Sequence, residues 1–376
     1  MNNEKKKRLG LAGFIFLLIS SLILLISCGG GGDASAPRDS YGFIMVNEIP
    51  AAAGLTLKSA DEFWTRERVQ KALENPLDQI IDLSAEPIAA SPEQGNALLR
   101  SSASASKNSE PFNPDGNRRG FSIGQLKAAR QKATASSAAA ETLPPCPASD
   151  YETGYAPRYD LYPERTQGVL VFGMGNNKVG SCSASLVGSN LIMTAAHCVA
   201  DRGRWYEDWG FVPGFNGSAN WKPYGIGSAQ YVFIFSGWFD DRNFAADVAF
   251  IALNEQLGNR IGWLGTGFDQ PRGQQWLQVG YPQDYPYDGV TLAYNLSAFG
   301  YNCCAAGSAC EVPEIAVGSA FTQGSSGGPW LVTRDNNYYV NGLNSYGPGG
   351  CSHLTMVSPY FGNRIGDLYE AAAKYR

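Results

Sequence analysis

The second half of the chain is a series of short segments rich in β-branched and aromatic residues, separated by glycine-rich turns. Between residues 168 and 347 these segments read GVLVF, SASLVG, LIMTAA, QYVFIF, DVAFIAL, WLQVGY, PWLVT and YYVNGLNSYG. Such short, regularly punctuated segments are typical of strands in a barrel or sandwich. The pattern predicts an all-β protein that ends in one helix over residues 363–375, where Ile365, Leu368 and Tyr369 have helical spacing.

The first part of the chain has a different composition. Residues 29–150 are rich in serine, alanine and proline, and contain no cysteine before Cys146. We interpret residues 28–150 as a tether and prosegment, partly helical and partly disordered. One predicted helix is capped by Asp61 and ends before Pro76, and a second covers residues 123–140. A small independent binding domain is the alternative interpretation.

The N-terminus is typical of an export signal. Three lysines and Arg8 precede a nearly continuous apolar run over residues 9–26, and the sequence LISC ends at Cys28. LISC resembles the lipobox of bacterial lipoproteins, in which cleavage precedes a cysteine that carries the lipid. We expect a signal peptide at residues 1–27 and a membrane anchor through lipidated Cys28; an uncleaved anchor is the alternative. Both place the remainder outside the cytoplasm, in the bacterial cell envelope or secreted after processing.

The charge and the cysteine content limit the possible binding partners and the compartment in which the protein folds. The net charge is −5 and no long basic run lies beyond the N-terminus, which argues against nucleic acid. Eight cysteines are typical of an oxidising compartment. We expect disulfides rather than zinc, because no histidine or carboxylate spacing suggests metal ligands. The pairing remains open for five cysteines: Cys146, Cys303, Cys304, Cys310 and Cys351.

His197 is one of only two histidines, and lies where an apolar strand runs into TAAHC. Cys182 precedes Cys198 by sixteen positions, with a Gly-Ser-Asn turn between them. A hairpin brings these two cysteines together, and their disulfide would hold the backbone beside the imidazole. Taken alone, the motif fits a catalytic histidine and a structural one equally well.

Asp247 stands at the head of the apolar segment DVAFIAL. A carboxylate there is at least partly buried and needs a hydrogen-bond donor, for which an imidazole N–H is suitable. The alternatives are an exposed strand-end aspartate at this position, or a role for Asp240 or Asp241 in the polar turn before it.

The sequence FTQGSSGGPW places Ser326 among glycines. A serine hydroxyl becomes a nucleophile when a base removes its proton, and the oxyanion that develops needs backbone N–H donors. We predict Gly324 and Ser326 as those donors, and expect Gly327 and Gly328 to leave room for a substrate. A flexible surface turn is the alternative for this segment alone.

Together, TAAHC, DVAFIAL and GSSGGP resemble the histidine, aspartate and serine motifs of the chymotrypsin/trypsin-like serine proteases, over roughly residues 165–376. The resemblance implies two six-stranded antiparallel barrels with a C-terminal helix, in a protease domain over residues 151–376. It implies His197 as general base, Asp247 as its orienting partner and Ser326 as nucleophile, without a cofactor or metal. NSYGPGG resembles the substrate-binding strand, which makes Ser345, Tyr346 and Gly347 its counterparts.

Departures from the family pattern bear on activation and specificity. Ser325 stands where many relatives have an aspartate that pairs with a new N-terminus, and no matching N-terminal sequence precedes Gly168. The bacterial glutamyl endopeptidase branch also lacks this aspartate. Constitutive activity and inhibition by residues 29–165 both remain open. Phe321 and Gln323 are further expected substrate-binding residues, and Asn344 in place of a histidine weakens a preference for acidic side chains.

The sequence therefore predicts an exported serine endopeptidase that cleaves a protein or peptide substrate through an acyl-enzyme. Two alternatives use the same fold: a catalytically inactive module that binds proteins or peptides, and an esterase with the same triad.

Overall fold

The computed structural model describes residues 41–49, 60–77, 80–82, 108–116, 151–297, 301–302, 314–349 and 355–376. All of them belong to one compact unit, Ser40–Arg376. The strands among these residues are β1 Ile44–Glu48, β2 Ile80–Asp82, β3 Tyr151–Tyr155, β4 Gln167–Gly175, β5 Lys178–Leu186, β6 Leu191–Thr194, β7 Ala200–Asp201, β8 Arg204–Trp205, β9 Glu207–Pro213, β10 Gly227–Phe235, β11 Ala249–Leu253, β12 Gly265–Thr266, β13 Trp276–Gly280, β14 Ala293–Ser297, β15 Tyr301–Asn302, β16 Glu314–Gly318, β17 Pro329–Arg334, β18 Asn337–Leu343, β19 Gly347–Gly349 and β20 Thr355–Pro359.

Helices are short, apart from the last. The α-helices are α1 Ala60–Phe63, α2 Arg66–Leu73, α3 Ser236–Asp241, α4 Gly258–Ile261 and α5 Asn363–Ala373, and the 3-10 helices are Glu164–Thr166, Ala196–Cys198 and Phe244–Ala246. The predicted C-terminal helix is confirmed as α5, which buries Ile365, Leu368 and Tyr369. None of the helices in the described ranges is long and apolar enough to cross a membrane.

Six strands of the first sheet close into a barrel, in the order β10-β11-β6-β5-β4-β9, and β9 pairs back to β10. Closure pairs both edges of the sheet, so the barrel presents no free edge there. β1 lies outside it as an added antiparallel strand, with Ile44 opposite Phe235 on β10. The interior is filled by β-branched and aromatic side chains such as Val169, Ile192 and Phe250.

The second half contains a six-stranded sheet, in the order β12-β18-β17-β13-β14-β3, and a three-stranded sheet, β15-β16-β20. Hydrogen bonds from side chains join these two sheets at strands that are not paired through their backbones. Asn295 and Ser297 of β14 both donate to the Gly318 carbonyl of β16, and Leu343 N–H of β18 donates to Ser358 Oγ of β20. The all-β fold with two barrel-like halves is therefore confirmed, although the two-residue pairing of β12 with β18 is parallel.

Part of the N-terminal half packs directly on the first barrel. The predicted helix is present as α1 and α2, but Asp61 is not its cap: Thr65 Oγ1 accepts a hydrogen bond from Arg68 N–H and starts a separate helix there. Trp64, between the two helices, is buried, and its indole donates to the Asp208 carbonyl at 2.7 Å. The second predicted helix, the signal peptide and Cys28 lie outside the described residues.

Candidate active site

His197 lies in the 3-10 helix that follows β6, at the end of the first barrel. The next residue, Cys198, forms a disulfide with Cys182 of β5, as the sequence spacing predicts. This bridge ties the histidine segment to the neighbouring strand. His197 is only 1% exposed, so its ring is enclosed by protein.

Asp247 binds His197 through both of its carboxylate oxygens. Oδ1 accepts from the His197 backbone N–H and Oδ2 lies against ring Nδ1, each at 2.8 Å. A carboxylate is an acceptor, so Nδ1 carries a proton, and in the neutral imidazole Nε2 therefore keeps its lone pair. Asp247 follows the 3-10 helix that Asn243 caps and is completely buried. The exposed Asp240 and Asp241 do not replace it.

Ser345 supplies a third donor to the same carboxylate, because its hydroxyl donates to Asp247 Oδ2 at 2.5 Å. The sequence comparison with the substrate-binding strand assigns Ser345 to contact with substrate. Its side chain supports the His197–Asp247 pair, and its backbone N–H donates to Val357 O on β20. The predicted contact of Ser345 with a substrate stays a prediction. Three donors balance the buried negative charge of Asp247.

The loop that carries Ser326 is held between the two barrels by backbone bonds. Ser183 N–H of β5 donates to the Ser326 carbonyl at 2.8 Å, and Gly327 N–H donates to the Asn344 carbonyl at 2.7 Å. The Ser326 carbonyl also lies 3.9 Å from Cys198 Sγ. The loop therefore meets the histidine segment at the junction of the first barrel with the second.

Gly327 and Gly328 serve the packing of this loop rather than leaving space for a substrate. A Cβ at Gly327, where φ is +79°, would collide with Thr194 Oγ1 and Ser183 O. A Cβ at Gly328 would collide with Val279 O. These glycines let the loop approach the strand backbones closely.

The Ser326 hydroxyl does not bind His197. It donates to the Leu77 carbonyl at 3.4 Å, and His197 Nε2 has no hydrogen-bond partner among the described residues. The same Leu77 oxygen accepts from Gly324 N–H, one of the two predicted oxyanion donors, at 3.4 Å. Gly324 has φ +85° and packs against Tyr281 O and Gln283, which explains glycine at this position.

The other predicted substrate-binding residues lie around this loop. Phe321 is buried and packs edge-on against Tyr287 at 5.7 Å between ring centroids. Gln323 donates to Asp284 Oδ1 at 2.8 Å. Tyr346 packs against Phe244, and Gly347 pairs with Ile80 of β2.

Asn344 is committed to the structure of the loop. Its side-chain amide donates to Val279 O and Ser325 O, and its carbonyl accepts from the Trp330 indole at 2.8 Å. No polar atom of this buried side chain is left for a substrate carboxylate. The cysteines at 28, 146, 303, 304, 310 and 351 lie outside the described residues, so the lipid at Cys28 and the disulfides of the others stay predictions.

Glu314 is a buried acid that sequence motifs do not reveal. It accepts a hydrogen bond from the Tyr346 hydroxyl at 3.3 Å. Burial raises its pKa to about 7; the Tyr346 bond opposes this shift and the negative charge of nearby Asp247 adds to it. A carboxyl group in this environment is protonated at acidic pH and charged at alkaline pH.

Cys182, His197 and Cys198 bring potential metal ligands within 4.8 Å of one another. Both sulfurs are consumed by their disulfide and are not thiolates. His197 Nδ1 is likewise engaged by Asp247. This cluster does not fit a metal site.

Two known proteins resemble part of the chain in sequence. An extracellular metalloprotease of Bacillus subtilis is 35% identical over 108 residues, covering 27% of this chain and 34% of the relative. A glutamyl endopeptidase of Bacillus licheniformis is 32% identical over 113 residues, covering 29% of this chain and 35% of the relative. The match thus spans only about a third of the length of either relative, 34% and 35%.

A solved structure and a family model extend the comparison. The thermostable serine protease AL20 from an extremophilic microorganism has 26% identity and a TM-score of 0.50, covering 56% of this chain and 98% of that one. The family model described as Trypsin matches residues 163–362, more than half of the chain. This range contains His197, Asp247 and Ser326, and the match shows that the chain belongs to the trypsin family.

Proposed function

We propose that this protein is a serine endopeptidase that hydrolyses peptide bonds through Ser326, His197 and Asp247. The observation that carries the proposal is the completely buried Asp247 carboxylate, which holds His197 by its backbone N–H and by Nδ1. This arrangement leaves the Nε2 lone pair as the base, at the junction where the Ser326 loop meets the histidine segment.

In the proposed reaction, Ser326 Oγ attacks the carbonyl carbon of the substrate while His197 Nε2 takes the hydroxyl proton. The carbonyl oxygen becomes an oxyanion, for which the N–H groups of Gly324 and Ser326 are the donors. The tetrahedral intermediate collapses as Nε2–H protonates the leaving amine, and an acyl-enzyme remains. Water, deprotonated by His197, then releases the acid and restores Ser326. Asp247 stabilises the imidazolium in both halves.

We also propose that the protein acts outside the cytoplasm on protein or peptide substrates. The Bacillus subtilis relative is named extracellular, and the cysteine bridge at His197 suits an oxidising compartment. The sequence places a signal peptide at residues 1–27, a lipid anchor at Cys28, a prosegment up to residue 150 and a protease domain over residues 151–376. These boundaries belong to the proposal.

Prolonged incubation with a fluorophosphonate probe tests the activity. We expect covalent labelling of the full chain and its loss in Ser326→Ala. The matched control is Ser218→Ala, which changes an exposed serine distant from Ser326 in the sequence and should keep the labelling. Absence of labelling would favour a module that only binds proteins or peptides. Matched peptide and ester substrates then separate an endopeptidase from an esterase.

A further inference from the structure

The N-terminal segment reaches the catalytic loop from the side of β5. Ser181 N–H donates to the Asn75 carbonyl at 3.4 Å, and Leu77 N–H donates to the Ser181 carbonyl at 3.2 Å. Ser181 immediately precedes Cys182, whose disulfide holds the histidine segment. The segment therefore binds main-chain groups next to His197.

Leu77 then fills the place of a reacting carbonyl. Its oxygen accepts hydrogen bonds from Gly324 N–H and from Ser326 Oγ, both at 3.4 Å. Gly324 N–H is a donor that the proposed reaction assigns to the oxyanion. A substrate carbonyl and the Leu77 carbonyl cannot occupy this position together.

Beyond Leu77 the segment continues onto the other side of the site. Ile80, Ile81 and Asp82 form β2, which pairs in parallel with Gly347, Pro348 and Gly349 of β19. Gly347 belongs to the stretch expected to bind the substrate backbone. The segment thus occupies the main-chain positions on both sides of Ser326, as a peptide ligand does in strand addition.

Helix α2 anchors this strand to the barrel. Its apolar face buries Val69, Ala72 and Leu73, and the preceding Trp64 is buried against Gly210 of β9. Burial of this face stabilises the docked position, because apolar area is removed from water. The opposite face, with Gln70 and Lys71, is exposed.

We propose that the segment formed by residues 60–77 and 80–82 is an inhibitory peptide ligand of the active-site cleft, built into the chain, and that the protein gains activity when this segment leaves. The inference rests on the proposed function, since it names what regulates that same site. The cleft accepts the segment chiefly through backbone hydrogen bonds, so the complementary class of ligand is an extended peptide. Because the segment is tethered, it binds at a high effective concentration.

The Leu77 peptide bond is not arranged for cleavage. Attack requires Oγ to approach the carbonyl carbon while His197 Nε2 accepts its proton. Here the hydroxyl donates to the carbonyl oxygen instead, and Nε2 has no partner among the described residues. The segment therefore blocks the site without being consumed there.

The test compares the rate of fluorophosphonate labelling in the full chain and in two variants. Leu77→Pro removes the N–H that binds Ser181 O, and Trp64→Ala removes the anchor of the helices. A lost hydrogen bond or anchor should raise the labelling rate about tenfold or more. Lys71→Ala, on the exposed face of α2, is the matched control and should label like the wild type. Wild-type labelling as fast as that of both variants overturns the proposal.

Two further measurements separate this inference from the proposed function. A synthetic peptide of residues 60–82, added to Leu77→Pro, should slow labelling again, whereas a scrambled peptide should not. Hydrogen exchange reports docking without catalysis: the Leu77 amide should be protected in the wild type and exchange faster in Trp64→Ala. Lack of protection in the wild type overturns the inference, even if labelling occurs. Protection in the wild type, with no labelling of Leu77→Pro or Trp64→Ala, instead contradicts the proposed function.

Thermal unfolding shows whether each variant is folded. If Trp64→Ala does not fold, the test rests on the labelling rate of Leu77→Pro with and without the added peptide. This variant should fold, because Leu77 is only half-buried and lies at the cleft. A folded Leu77→Pro that labels no faster than the wild type counts against the proposal.

Discussion

Asp247 accepts hydrogen bonds from His197 at two points, the backbone N–H and ring Nδ1, each at 2.8 Å. The two bonds fix both the position of the residue and the orientation of its ring. Since Asp247 is completely buried, neither bond competes with water. This pair sets the tautomer on which the proposed chemistry depends.

Asp247→Asn should reduce kcat by about a thousandfold to ten-thousandfold, because an amide N–H facing Nδ1 favours the wrong tautomer. Initial rates on a peptide substrate measure this, with the segment 60–82 displaced by Leu77→Pro in every protein compared. Asp241→Asn, at the exposed end of helix α3, is the matched control and should keep its rate. A small loss in Asp247→Asn would mean that the pair is structural.

Ser345→Ala should lower kcat by about tenfold to a hundredfold and leave KM nearly unchanged. The reason is that Asp247 Oδ2 loses a hydrogen bond of the charge-assisted kind. Ser345→Thr keeps a hydroxyl and should recover part of the rate. A change in KM alone would instead support the direct substrate contact that the sequence motif implies.

Gly327→Ala should destabilise the fold by about 2 kcal/mol or more, because φ is +79° and a Cβ meets Thr194 Oγ1 and Ser183 O. Urea unfolding in a Ser326→Ala background measures the change without self-cleavage. Gly273→Ala is the control, since a Cβ there meets nothing within 4 Å. Equal unfolding midpoints for the two variants would contradict the close packing of the Ser326 loop.

Glu314 should make stability depend on pH. Its pKa is raised from 4.5 to about 7 by burial, so the native state holds this proton more tightly than the unfolded state does. Its stabilising contribution is then complete below pH 4.5 and is lost as pH rises to about 7. The size of this loss is on the order of 3 kcal/mol.

Glu314→Gln removes the titrating group and should flatten this dependence, making the variant the more stable protein at pH 8. Urea unfolding at pH 5 and pH 8 in the Ser326→Ala background measures it. Glu370→Gln, an exposed position on α5, controls for the general effect of charge. Parallel stability curves for wild type and Glu314→Gln would show that Glu314 is solvated.

The roles predictable from sequence are those with a local signature. TAAHC combines a strand end, small residues and a cysteine beside His197, and DVAFIAL buries Asp247 because an apolar strand follows it. The strand pattern and helix α5 are predictable for the same reason, since apolar periodicity depends on near neighbours. The cap of the N-terminal helix is not predictable from the sequence, because Asp61 and Thr65 are both suitable capping residues. In the structure the chain turns at Trp64, and Thr65 starts a separate helix.

Leu77 and Glu314 have no such signature. Leu77 acts through its backbone carbonyl, which every residue has, and its partner Ser326 is 249 positions away. Burial raises the pKa of Glu314 and the charge of Asp247 adds to this shift, and both depend on parts of the chain that are distant in sequence. Likewise, the sequence motif cannot distinguish a Ser345 that binds substrate from one that binds Asp247.

The sequence by itself determined the all-β class and the terminal helix and predicts the residues proposed for acyl transfer, because these follow from the order of side chains along short segments. Only the tertiary structure decided that Ser345 binds Asp247, that Ser326 binds Leu77 and that the pKa of Glu314 is raised. The physical reason is that hydrogen-bond partners and burial are set by distant parts of the chain brought together in folding, and a local pattern carries no record of them.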